Sequence, residues 1–134
     1  MRAGQFGVSM LLVGLAMSGC SSGSTRADTP AGEWRRVDTS QTLSFAETGR
    51  ISGDAGCNRF SGAVQLDADN ALRIGPVMST KRGCADAGMM RLEAEYLRSL
   101  DQVDRYRFES PDRLILTDVS GNPLLTFERT DTAR

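Results

Sequence analysis

Short runs in which apolar and polar residues alternate constrain this chain most: Leu43 with Phe45, Val64 with Leu66, Leu72 with Ile74, Tyr106 with Phe108, Leu114 with Leu116, and Leu125 with Phe127. A period of two places alternate side chains on one face of an extended backbone, so each run reads as a half-buried strand. Turn signals separate them at Thr48-Gly49, 67–70, Gly75-Pro76, 110–112 and 120–123. Only one segment changes period. From Asp86 to about Leu100, the residues Met89, Leu92, Tyr96 and Leu100 recur at intervals of three and four, the stripe of an amphipathic helix. Asp86 is placed to cap its first turn, although Met89 stands where glutamate would close a capping box. Arg91 and Glu95 are four apart on its exposed side. Many short strands with one late helix predict an α+β domain, mostly β. The expected form is a compact, strongly bent antiparallel sheet or small β-barrel-like domain with the helix packed on it.

Between two of these runs lies ISGDAGCNRFSG, Ile51 to Gly62, in which three glycines surround Cys57 and Asn58. Glycine at this density permits positive φ and close backbone approach, so the segment reads as a tight turn or bulge inside a sheet. The string resembles the signature of the META domain family, which includes the heat-inducible HslJ proteins of bacteria. The likeness continues in STKRGC, Ser79 to Cys84, in a short helix carrying Glu93 and Glu95, and in strands from Leu114 to Phe127. It covers most of the chain after residue 30, and implies the same β-barrel-like domain with one helix. It also implies links to heat induction, novobiocin tolerance and, in some members, motility or virulence. Trp34, at the start of the first strand, reads as a core anchor whose indole N–H bonds backbone.

The amino terminus reads as an export signal: Arg2 is followed by the apolar Val8 to Met17, then Ser18, Gly19 and Cys20. This resembles a lipobox, with Met17 where leucine is commonest. The resemblance implies cleavage before Cys20 and acylation of that cysteine. The apolar run is well short of the roughly 20 residues that span a bilayer. Ser21 resembles the sorting pattern for the periplasmic face of the outer membrane, if the host is Gram-negative. The expected organisation is a signal peptide over 1–19, a small, polar tether over 20–31, a META domain over 32–130 and a tail over 131–134. Losing Arg2 with the signal takes one basic group from 16, leaving a small acidic excess against 17 acidic groups. Nucleic acid and anionic surfaces demand the opposite balance and are not expected partners. The mature chain is expected to be a monomer, joined to the membrane through lipid, with an envelope protein or an apolar molecule as its partner.

If lipid consumes Cys20, Cys57 and Cys84 remain as an even pair in an oxidising compartment, and a disulfide is the expected outcome. The family resemblance implies cysteines at the same two places. Zinc or copper would need more ligands, and the chain has no histidine, so no metal or cofactor is expected. A redox thiolate beside Arg59, Lys81 and Arg82 is the weaker alternative. Asn58 and Arg59 are the polar residues most open to a binding role, against an architectural role in a turn, with Asp54 as a partner for Arg59.

Absence of histidine also removes Ser-His-Asp and Cys-His catalysis, and Glu93 and Glu95 fall on different helix faces. Ser79 and Lys81 could share a strand face as a hydrolytic dyad, the least favoured option. The leading expectation is a non-enzymatic outer-membrane lipoprotein that serves stress tolerance or assembly by binding. The alternatives are pilotin-like escort of a secretion component, for which Met78, Met89 and Met90 would suit an adaptable mouth, against core filling as their expected use, and inhibition of a secreted enzyme through the loop from Asp54 to Phe60.

Overall fold

The computed structural model describes residues 29–130 together with Gly4 and Gly14. The expected signal over 1–19, Cys20, the expected tether as far as residue 28 and the tail over 131–134 otherwise lie outside the described residues. The elements follow in the order β1 (Gly32–Arg36), β2 (Thr42–Ala46), β3 (Arg50–Asp54), β4 (Arg59–Asp67), a 3-10 turn (Ala68–Asn70), β5 (Ala71–Ile74), β6 (Met78–Ser79), α1 (Ala87–Asp101), β7 (Arg105–Ser110), β8 (Arg113–Thr117) and β9 (Pro123–Arg129). Each alternating run named above lies in a strand. The glycine-rich segment resolves into β3, a turn over 55–58 and the start of β4.

All pairings are antiparallel, in the order β3-β2-β1-β9-β8-β7-β5-β4-β6, and β3 also pairs with β4, which bends the sheet into a ring. β5 and β6 lie on the same edge of β4, with Val64 opposite Ile74 and Phe60 opposite Ser79. Between them, 75–77 carries one residue more than the facing stretch of β4, a bulge that accommodates Pro76. The seam between β5 and β7 is short. Ala71 opposite Arg105 is its one registered pair, supplemented by the Leu72 N–H donating to the Asp104 carbonyl at 2.9 Å.

Alternation sends Leu43, Phe45, Ile51, Phe60, Tyr106, Leu114, Leu116, Leu125 and Phe127 into the ring, around a fully buried Trp34. The Trp34 Nε1–H donates to the Pro30 carbonyl at 2.8 Å, as expected of a core anchor. Gly53 occupies an inward position where a Cβ would run into the Thr42 carbonyl oxygen and come within 2.9 Å of the Phe60 ring. Glycine there lets β2, β3 and an aromatic ring share one space.

α1 lies across one end of the ring. Asp86 caps it, its Oδ1 accepting from the Gly88 and Met89 N–H groups at 2.8 and 3.2 Å. Its buried residues are Glu93, Tyr96 and Leu100, with Leu97 packed partly against the core. Tyr96 meets Phe60 edge-on, with ring centroids 5.5 Å apart, and lies 6.3 Å from Phe127. The Arg91–Glu95 spacing yields no ion pair among the described residues, consistent with the small value of exposed pairs.

Candidate functional site

The helix-covered end is fastened by polar contacts. A disulfide joins Cys57, in the turn between β3 and β4, to Cys84, in the loop entering α1, with Cα atoms 5.6 Å apart. Beside it, the buried Glu93 carboxylate accepts from the Asn58 backbone N–H at 2.7 Å and from its Nδ2 at 2.9 Å. The Asn58 Oδ1 accepts from the Thr80 hydroxyl at 3.0 Å, and its carbonyl accepts from the Ala55 N–H at 2.8 Å. Gly56 takes φ +130 in this turn, and a Cβ there would stand 2.9 Å from Met89 Sδ, so glycine lets the turn and the helix touch.

A second cluster lies behind the first. Gln41 is fully buried; its Nε2 donates to the Ala55 and Leu92 carbonyls at 2.7 and 3.3 Å, and its Oε1 accepts from Arg36 at 2.7 Å. The Arg36 guanidinium also lies 5.8 Å from the centre of the Tyr96 ring. The Tyr96 hydroxyl donates to the Thr42 carbonyl at 2.8 Å. Burial pushes its pKa far above the ordinary range, against an opposite and smaller pull from Arg36.

That displacement has a sign. Because the folded pKa lies above the unfolded value of about 10, the stability it contributes is complete below that pH and is lost progressively as pH rises beyond it. The urea midpoint should therefore fall between pH 9 and pH 11. Tyr96→Phe should be less stable at pH 8 by about 1 kcal/mol, through the lost hydrogen bond, yet decline less over the alkaline range. Equal alkaline decline in both proteins would place the effect elsewhere.

The sequence candidates separate on this geometry. Asn58 is a buried structural fastener with every polar group engaged. Arg59 is exposed and forms no ion pair among the described residues, and Asp54 instead accepts from the Gly56 N–H at 2.9 Å. Ser79 is half-buried in β6 and Lys81 exposed, with no hydrogen bond between them among the described residues. Glu93 faces the core and Glu95 solvent, as the helical spacing required. Met89 closes on Gly56, whereas Met78 and Met90 are 77% and 46% exposed; none of the three lines the apolar groove described next.

Among the described residues the opposite end of the ring stays open. Its interior continues into a groove of about 320 Å³ lined by Phe45, Ala46, Glu47, Gly49, Val64 and Leu66, with Thr29 and Ala31 as a further wall. β2 and β4 reach this rim because their inward series, Leu43-Phe45 and Phe60-Gly62-Val64-Leu66, continue past the last core layer. Burial falls along the second series, from Phe60 at 3% exposed to Leu66 at 43%. The entering chain is held against this end. Pro30 is fully buried, Arg129 donates to the Ala31 carbonyl at 3.2 Å, and its guanidinium stacks 4.3 Å from the centre of Trp34. The volume lies at the lower end of the range for sites that take small apolar ligands. Alternation in the sequence points Val64 and Leu66 inward, but the open end depends on where neighbouring strands stop, and Glu47 carries no local signal beyond its turn.

A ring-like antiparallel sheet with one end covered by a single disulfide-fastened helix and the other open among the described residues defines a small β-domain class. The META domain model matches residues 22–131, and the chain belongs to the META domain family. An NMR structure of a protein from Burkholderia xenovorans is similar at 28% identity, covering 75% of this chain and 79% of that one, with a TM-score of 0.56. A second NMR structure shares the fold at 21% identity, covering 80% of this chain and 96% of the other, TM-score 0.60. A DUF4847 family protein from Bacteroides vulgatus shares it at 18% identity, covering 69% and 61%, TM-score 0.52. No curated protein matches the chain.

Proposed function

We propose that this META domain is a lipid-anchored binding module of the bacterial envelope, working without catalysis and holding an apolar ligand or protein segment in the open end of its ring. The observation that carries this reading is the apolar groove, placed at the end where the chain enters the domain. With Cys20 acylated, the stretch from Cys20 to Thr29 spans at most about 30 Å when extended, so the groove stays close to the bilayer surface. More than one acyl chain makes such attachment lasting. Ser21 favours the periplasmic face of the outer membrane in a Gram-negative host, and a role in stress tolerance or assembly fits a module that covers exposed apolar groups.

Two measurements test it. The intact mass of membrane-extracted protein, taken without reductant, should include acyl groups on residue 20; an unmodified Cys20 would remove the anchor from the proposal. N-phenyl-1-naphthylamine should brighten on binding the protein, and Leu66→Asp, which puts a charge at a 43% exposed position, should abolish this while leaving the urea midpoint nearly unchanged. Brightening that survives Leu66→Asp would place apolar binding elsewhere.

A further inference from the structure

We infer that the groove takes an extended apolar polypeptide segment flanked by a basic residue, laid along the free end of β4 over 65–67. This rests on the reading of the groove as the binding site and adds the class of its occupant. Pairing of β3 with β4 ends at Arg50 opposite Ala63, and the last bond across that edge is the Val64 N–H to the Gly49 carbonyl at 2.9 Å. Beyond it, Gln65, Leu66 and Asp67 face Arg73, Leu72 and Ala71 of β5 on one side. On the other side they have no strand among the described residues. The free edge borders the groove, because Leu66 belongs to both and Val64, where the pairing ends, lines the groove beside it. An added strand would bond its backbone to this edge and turn alternate side chains onto Phe45 and Val64.

Charge selects the flank. Glu47 is the one charged residue among those lining the groove, and it forms no ion pair among the described residues. Arg50, just beyond the turn, does not offset it inside the groove: Ile51 points inward, so Arg50 belongs to the outer face. An uncompensated carboxylate beside an apolar groove repels a fatty-acid headgroup or an acidic flank and favours lysine or arginine. For a partly exposed pair the preference amounts to about fivefold in affinity.

The test uses the full mature chain in phosphatidylcholine nanodiscs, free of detergent, and two fluorescein-labelled peptides of alternating valine and threonine, one ending in two lysines and the other in two glutamates. At low salt, polarisation should give the lysine peptide about fivefold tighter binding. Glu47→Lys should invert that order, and Leu66→Asp should remove binding of both. Equal binding of the two peptides while N-phenyl-1-naphthylamine is still taken up, an order unchanged by Glu47→Lys, or occupancy by oleate in place of both peptides would overturn the inference and leave the groove as an apolar site. Failure of the peptides and the fluorophore together would overturn the binding reading itself.

Discussion

Glu93→Ala should lower the unfolding free energy by about 3 to 4 kcal/mol, one of the two largest effects expected from a change in this domain. The carboxylate receives two N–H groups from Asn58, which is only 9% exposed. Truncation leaves both donors without a partner where water has little access, and each such loss costs about 1 to 3 kcal/mol. The void left by the side chain adds to this. Glu93→Gln should cost about 2 kcal/mol, because one oxygen can still accept while the new amide presents donors to a donor. Urea unfolding followed by far-UV circular dichroism reads both, as a lowered midpoint with the slope unchanged. A loss under 1 kcal/mol for Glu93→Ala would mean that water replaces the carboxylate freely and that the turn is not fastened to the helix through it.

Opening the Cys57–Cys84 bond should have a comparable effect. The bridge spans 27 positions, and closing a loop of that size stabilises a domain by about 3 to 4 kcal/mol on the chain-entropy model. Small domains typically have only about 5 to 15 kcal/mol in total. Reduction should therefore move the urea midpoint strongly downward, while the doubly substituted Cys57→Ser, Cys84→Ser protein should start low and ignore reductant. The two losses should not add. Both the bridge and Glu93 hold the turn over 55–58 against the helix and its entry loop, so combining them should cost less than the separate effects together. Full additivity would mean the two fasteners act on independent parts of the fold.

Much of this architecture is legible in the chain because the physics that sets it is local. Alternation at Leu43-Phe45, Leu114-Leu116 and Leu125-Phe127 gave strands with the inward face correct, and the change of period at Asp86 gave both the helix and its cap. β6 is too short to carry a period, and the pairing of β3 with β4 that bends the sheet into a ring depends on contacts no single segment encodes. Gln41 sits between Ser40 and Thr42, with no local signal of burial. It is buried because Arg36 and two carbonyls from distant segments satisfy its amide. Leu66 shows the converse: its period points inward, but at the rim it stays 43% exposed among the described residues. Met78, Met89 and Met90 carry no local signal of where they sit, since polarizability says nothing about which end of a ring a residue reaches.

The most direct measurement of where this domain binds is a two-dimensional amide NMR titration with the lysine-ended peptide. Shift changes concentrated at 29–31, 45–49 and 64–67, with Asn58, Arg59, Thr80 and Lys81 unmoved, are the expected result. Changes centred on the disulfide turn at 54–60 with the open rim silent would contradict it, and would return the binding role to Asn58 and Arg59.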